Sequence, residues 1–383
     1  MKDKKLKQLY LVKRLLLATI ILYIAVFFIM NSPYMTADNI KRVYFDVKSA
    51  ITQSRPSSDD TIPLSDGAMN KTVLFKDGLC HLSQNILTVY SRDMKKYSEH
   101  TVNIRTPVLK TSGKYILAFD RDGNNIYVAD SFRLLKTFTT DEKIINAGLD
   151  ENGYFYVITE KYGYKARLTV YDREFDEVFY WDCADNYVFD AVFGGKHTIT
   201  TVTLQSEKEK INTVIYKLDY ISAKEISQIK LEERLPVACY LKTDDSVELI
   251  TNKDIVSIRD GGYNLLYTFN SFNVDRFMQS DRYTLIAKTS SQSAKTDEIT
   301  AIDHAGNILF SKEFSNVGDV CIVSDKFMVL SSGVLYVLNS GGNELYSYAV
   351  RNGAGRICAN KDVCIAVGAD FAQYLDIYSK VKI

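Results

Sequence analysis

The sequence predicts an all-β fold, an eight-bladed β-propeller with seven blades as the alternative, behind an N-terminal transmembrane helix. Three observations predict it. First, eight alternating segments each end on a small polar turn-former: ILTVYS (Ser91), NIYVAD (Asp130), RLTVYD (Asp172), VIYKLD (Asp219), IVSIRD (Asp260), ITAID (Asp303), VLYVLN (Asn339) and YLDIYS (Ser379). They recur at spacings of 39, 42, 47, 41, 43, 36 and 40 residues. A period near forty built only of strands and turns is the signature of a propeller, each repeat being a four-stranded blade. Second, Tyr (26) and Phe (19) are abundant while Pro is scarce (5), as pleated, half-buried strands require. Third, Ala147, Gly148, Ala191, Ala238, Cys239, Cys321 and Cys358 sit at the centres of the first strands of their repeats. Blades crowd together at the axis, where only small side chains fit.

The chain opens on Lys2, Lys4, Lys5, Lys7, Lys13 and Arg14 against Asp3 alone, a net of +5 over residues 1–14. The whole chain has 47 basic and 47 acidic side chains, so the remainder carries −5. A mildly acidic body makes a poor polyanion binder, since nucleic-acid affinity comes largely from Lys and Arg on phosphates. Residues 15–30, LLLATIILYIAVFFIM, run without a charge, and the apolar stretch reaches twenty residues if counted from Leu11 across Lys13 and Arg14. Twenty helical residues span roughly 30 Å, the thickness of a bilayer core. Leu15, Leu16, Leu17, Ile20, Ile21, Leu22, Ile24, Phe27, Phe28 and Ile29 are the expected membrane anchor. The competing reading is a cleaved signal peptide, which asks for a shorter apolar core and a small-x-small site, whereas Met35 precedes Ala37 by two. The basic tail sets the N-terminus in the cytoplasm and the rest outside it.

Residues 31–70 connect anchor and repeats. TADNIKRVYFDVKSAITQ (36–53) spaces Ile40, Val43, Tyr44, Val47 and Ile51 for one face of a helix, with Thr36 or Asp38 as cap. It reads as a membrane-proximal stalk. SRPSSDDTIPLSDG (54–67) is rich in Ser, Pro, Asp and Gly and reads as linker. The propeller is expected over 71–383. Its last blade has three strands, RICAN (356–360), VCIAVG (363–368) and YLDIYS (374–379). A ring left there has an open edge. KTVLF (71–75) is the expected fourth strand, closing the ring through the two ends of the chain, and TIPL (61–64) is the second candidate.

Chemistry-bearing residues are sparse. His81, His100, His197 and His304 are scattered, and no nucleophile elbow, phosphate loop or metalloprotease motif is present. No catalytic residue, cofactor site or metal site is assigned. Asp120, Asp122 and Asn124 of DRDGNN open like a calcium loop, but the twelfth position is Ser131 where a bidentate Glu belongs, so a hairpin is the better reading. Three of the six cysteines, Cys239, Cys321 and Cys358, read as small apolar fillers of inner strands. One pair, Cys358 and Cys364, flanks a single hairpin and is a candidate disulfide. Trp181 in FYWDC is read as packing between blades, with an exposed sugar platform as the alternative.

FMVLSSGVLYVLNSGGNELYSYAV (327–350) resembles blades of the quinoprotein-like and YVTN-like propellers. With its basic tail, single span and stalk, the chain resembles an uncharacterised family of membrane-anchored propeller proteins of Gram-positive bacteria. That resemblance implies architecture, with no catalytic residues to carry over. Quinoprotein dehydrogenases match less well, since they use vicinal cysteines and a tryptophan beneath the cofactor. The expected function is an extracytoplasmic binding or scaffolding module of the cell envelope, taking protein or glycan partners. Two alternatives stand beside it: a polysaccharide hydrolase or lyase with its site at the axial mouth, and a sensor coupled to a membrane partner.

Overall fold

The computed structural model describes residues 13–23, 26, 37–52, 61–65, 71–83, 85–270, 273–289 and 296–377. The chain divides into two compact units, Met1–Arg55 and Pro56–Ile383. In the first, residues 13–23 are helical, and a second helix covers Ala37–Thr52 within the segment read as a stalk. Among the described residues no helix is long and apolar enough to cross a membrane. Of the expected anchor, Leu15, Leu16, Leu17, Ile20, Ile21 and Leu22 are exposed on the described helix, while Ile24, Phe27, Phe28 and Ile29 lie outside the described residues.

The second unit is an eight-bladed propeller: eight antiparallel sheets of four strands. In blades 1–7 the strands follow one another in sequence from the innermost outward. The innermost strands are Lys71–Phe75, Pro107–Thr111, Ile144–Leu149, Tyr187–Phe193, Pro236–Leu241, Val274–Gln279, Val317–Val323 and, in blade 8, Arg356–Ala359. The small residues singled out in the sequence lie on them as expected.

The repeated turn-former closes the third strand of a blade, and its hydrogen bonds explain the repetition. Asp130 Oδ1 accepts from the backbone N–H of Phe132 and Arg133. Asp172, Asp219, Asp303 and Asn339 each accept two N–H groups of their own turns in the same way. A short side chain that mimics a backbone carbonyl tightens such a turn. Asp260 departs from the pattern: it takes a left-handed backbone (φ 48°) before Gly261 instead.

The core is a ring of layers rather than one centre. Apolar clusters fill the seams between successive blades. Ile158, Leu168 and Val170 of blade 3 meet Val188, Ile199 and Leu218 of blade 4, and Met328, Leu335 and Val337 of blade 7 meet Cys364 and Ala366 of blade 8. Each middle strand is therefore covered on both faces, as in Gly78–Leu82, Ile116–Asp120 and Phe155–Thr159, where every residue is buried.

Ring closure corrects two expectations. The strand completing blade 8 is Thr61–Pro63, which pairs as its outermost member with Phe371–Tyr374, in the register Thr61↔Gln373, Ile62↔Ala372 and Pro63↔Phe371. Leu64 N–H extends the ladder to Asp370 O at 2.8 Å, and Arg351 Nη1 donates to Thr61 Oγ1 at 3.1 Å. Lys71–Phe75 is instead the innermost strand of blade 1, paired with Gly78–Leu82. The closing strand is thus the second candidate, TIPL, which lies inside the segment of linker composition at 54–67. Its proline is tolerated because an outermost strand has one ladder side without a partner. The third strand of blade 8 also lies earlier than YLDIYS, directly after the Gly368 turn, and Ser379 lies outside the described residues.

The candidate bridge is also corrected. Cys364 pairs with Ala359, whereas Cys358 pairs with Ile365. Neighbouring positions of a strand point to opposite faces. Cys358 packs toward blade 1 and Cys364 toward blade 7, and both thiols are free.

Candidate functional site

All inner strands run in one sense, so the ring has an entry face where they begin and an exit face where they turn into their second strands. A cavity of about 900 Å³ opens at the exit face. Blades 1–6 line it, through Lys76, the 110–113 segment, Gly148 to Glu151, Asp190 to Phe193, Cys239 to Thr243 and Asp281. Its charged groups are of both signs: Lys76, Lys110 and Lys242 against Asp150, Glu151, Asp190 and Asp281.

The floor is built by a backbone irregularity. In blades 3 to 7 the inner strand slips register after its first residues, and Asn146, Asp190, Ala238, Arg276 and Asp319 follow the slip at equivalent positions. A bulge turns the strand and re-aims such a side chain. Asn146, Asp190 and Asp319 each accept the N–H of the next residue. Several then reach the following blade: Asn146 Nδ2 donates to Phe189 O at 3.4 Å, Arg276 Nε to Gly318 O at 3.0 Å, and Ile357 N–H donates to Asp319 Oδ2 at 2.8 Å.

Asp190 is the hub. The Tyr156 hydroxyl donates to its Oδ1 at 2.6 Å, and Lys110 Nζ lies 3.8 Å from the same oxygen while donating to Asn146 Oδ1 at 3.1 Å. Burial first, and the charge of Asp190 second, hold the Tyr156 phenol well above the ordinary range, and the Cys239 thiol is raised by the same causes in the same order. Both groups stay protonated at neutral pH, Tyr156 as a donor and Cys239 as an inert wall. Gly148 is required here: an added Cβ would stand 2.5 Å from the Tyr156 ring.

At the rim, between blades 5 and 6, Glu248 is fully buried on the second strand of blade 5. It accepts from Gln279 Nε2 at 2.9 Å and from Thr284 Oγ1. Lys242 Nζ sits 2.7 Å from its Oε2, off the line of a good hydrogen bond, so the contact is an ion pair. Glu248 occupies in its blade the position that Tyr156 occupies in blade 3, since Tyr240↔Glu248 matches Gly148↔Tyr156. Both positions bind forward into the next blade.

Among the described residues no histidine lines this cavity. His81 is buried in blade 1, its Nδ1 2.9 Å from Thr72 Oγ1 and its Nε2 2.9 Å from Ser65 Oγ, and burial lowers its pKa. Asp120 of the calcium-like run accepts from the N–H groups of Arg105 and Thr106, and Gly123 N–H donates to Asp120 O, as a hairpin. No group of metal-ligating side chains forms among the described residues. Trp181 is half-buried, 5.1 Å from the Tyr216 ring and packed on the seam between blades 3 and 4. Sequence reading missed the cavity residues because their lining role comes from strand ends some forty residues apart; the only local trace is Asn146 and Asp190 set before alanine in otherwise apolar strands.

No curated protein matches the chain. Solved structures match its fold at low identity. BamB from Moraxella catarrhalis aligns with a TM-score of 0.52 at 11% identity, covering 82% of this chain and 96% of that one. The C-terminal WD40 domain of Sif2 aligns at 0.59 and 9% identity, with the same 82% and 96% coverage. Sqt1 of Chaetomium thermophilum, solved bound to the N-terminus of the ribosomal protein L10, aligns at 0.52 and 11% identity over 83% of this chain and 97% of that one. At such identities the likeness is one of fold. A family model, in contrast, matches residues 52–369, so the chain belongs to the DUF5711 family of unknown function.

Proposed function

We propose that this chain is a membrane-anchored binding module of the cell envelope, whose exit-face cavity receives a projecting segment of a partner protein. One observation carries the reading: a cavity of about 900 Å³ whose wall presents ammonium groups (Lys76, Lys110, Lys242) and carboxylates (Asp150, Glu151, Asp190, Asp281) contributed by six successive blades. A polypeptide end offers charges and backbone groups of both signs, and such a wall meets them with donors and acceptors already fixed by the blades. Sqt1, a propeller of similar fold, is bound to the N-terminus of another protein. The Asp190 hub favours binding over catalysis, because its Oδ1 is held by Tyr156 and the Ala191 N–H with Lys110 beside it.

Anchoring rests on the sequence: a charge-free run at 15–30 behind a basic tail of net +5. Deleting residues 1–35 should move the protein from the membrane to the soluble fraction, and retention in the membrane would reject the anchor. The cavity is tested by a photo-crosslinking amino acid at Tyr240, on the cavity wall, and at Tyr348, on the outer strand of blade 7. A discrete protein adduct from position 240 alone, lost on Lys110→Glu, is expected. Equal adducts from both positions would reject the site, and an adduct of carbohydrate would reject the partner class.

A further inference from the structure

The opposite mouth of the ring differs in character. A second cavity, about 290 Å³, opens on the entry face across three consecutive blades. Arg356 of blade 8, Lys71 of blade 1 and Arg121 of blade 2 line it, over an apolar floor that includes Val73, Pro107 and Val108. No acidic side chain lines it. Arg356 begins its inner strand and Lys71 begins its own, so both cations stand at the rim of the axis. Arg121 is brought to them by its hairpin, where its N–H donates to Thr106 O at 2.9 Å. The cavity therefore spans the seam where the last blade meets the first.

Three like charges around one small cavity repel one another, and an apolar floor strengthens their field. Arg356 also acts on Asp319, but that carboxylate is buried and already accepts from the Ile357 and Val320 N–H groups. We propose that this seam cavity binds a multiply charged oxyanion of the phosphate class. Two guanidinium forks suit the planar, paired oxygens of such a group, and the lysine adds a point charge. A single carboxylate would leave most of the cationic charge unmatched. The bound anion would bridge blades 8, 1 and 2, and so hold the closure of the ring. This site is separate from the exit-face cavity, and its test does not depend on the proposed partner.

The test is calorimetric titration of the full-length chain with pyrophosphate, inorganic phosphate, a phosphoserine peptide and acetate at fixed ionic strength, with melting curves alongside. Saturable pyrophosphate or phosphopeptide binding is expected, with a raised melting temperature. The preferred one of the two tells a free phosphate from one carried on protein. The double variant Arg121→Gln/Arg356→Gln should bind at least about tenfold more weakly and lose the melting shift, and affinity should fall as chloride rises. Exposed glutamines should preserve folding; should the double variant fail to fold, Arg121→Gln alone and the chloride dependence of the wild type decide. Absence of saturable binding, equal binding by variant and wild type, or acetate binding as tightly as pyrophosphate would each overturn the proposal.

Discussion

The Tyr156 hydroxyl donates to Asp190 Oδ1 across the seam between blades 3 and 4, at 2.6 Å, in the floor of the exit-face cavity. Tyr156→Phe keeps the ring and deletes the donor, leaving Asp190 to Lys110 and to the Ala191 N–H. A hydrogen bond to a charged acceptor contributes about 1.5–3 kcal/mol, so the variant should lose that much in urea unfolding. Asp190→Ala should cost more, because it strands Tyr156 and Lys110 together. Equal stability of Tyr156→Phe and wild type would show that the bond contributes nothing to the seam.

Glu248 concentrates the polar contacts of the next such position. Glu248→Ala leaves Lys242 buried without its counter-charge and removes the acceptor of Gln279 and Thr284. Breaking one side of a buried pair costs about 3–5 kcal/mol. The double variant Lys242→Met/Glu248→Leu should recover much of that loss, since matched apolar replacement of a buried pair is often neutral. Denaturation midpoints of the two proteins check this, and a double variant no more stable than Glu248→Ala would reject the pairing.

Much of this architecture was legible in the sequence, and the omissions have a common physical cause. The third strand of most blades announces itself through the side-chain-capped turn after it, as at Asp172 and Asp303. Second strands such as Gly78–Leu82 are buried on both faces, so they lack the alternation that marks a half-exposed strand. Lys71–Phe75 belongs to blade 1 because Gly78–Leu82 pairs with it across a tight turn. Thr61–Pro63 has three residues, one a proline, and only the exposed edge of blade 8 makes it a strand. The cavity needed the ring itself, because Lys110, Asn146 and Asp190 meet through register slips that no local pattern encodes.

His81 makes stability pH-dependent. Its folded pKa is lowered by burial, while unfolding returns it to about 6.5. The unfolded chain therefore binds the extra proton first, and stability falls as pH drops below about 6.5 toward the folded value. His100 is lowered by burial too, with Asp130 opposing, and adds in the same direction. Unfolding free energies from pH 8 to pH 5 should show a shallower decline in His81→Gln than in wild type. Parallel curves would show that His81 does not titrate on unfolding.

The free thiols should be chemically quiet. Burial pushes the Cys321 and Cys358 thiols up to about 12 and raises Cys80 and Cys364 as well. The thiolate is the reactive form, so a thiol reagent at pH 8 should modify these four only on unfolding. Cys239 lines the exit-face cavity, but burial and the charge of Asp190 raise its thiol as well, so it too should stay unmodified until the chain unfolds. Reduction by dithiothreitol should leave the melting temperature unchanged; a lowered one would restore the Cys358–Cys364 bridge.

Closure by Thr61–Pro63 can be fixed covalently. Thr61 and Gln373 are register partners at the outer edge of blade 8, joining the start of the propeller to its last strands. A Thr61→Cys/Gln373→Cys pair should oxidise, since directly opposed antiparallel positions hold their Cα atoms about 4.5–5.5 Å apart, inside the range a disulfide spans. The bridge closes nearly the whole propeller into one loop, and cross-linking should stabilise it by about 2–4 kcal/mol. The substitution also removes the Arg351 contact to Thr61 and the Gln373 acceptor of the Arg351 N–H, so the reduced form should be slightly weaker than wild type. Leu74→Cys/Gln373→Cys, which joins the inner strand of blade 1 to a strand it does not pair with, should stay reduced. Oxidation of that second pair in place of the first would return the closing role to the inner strand of blade 1.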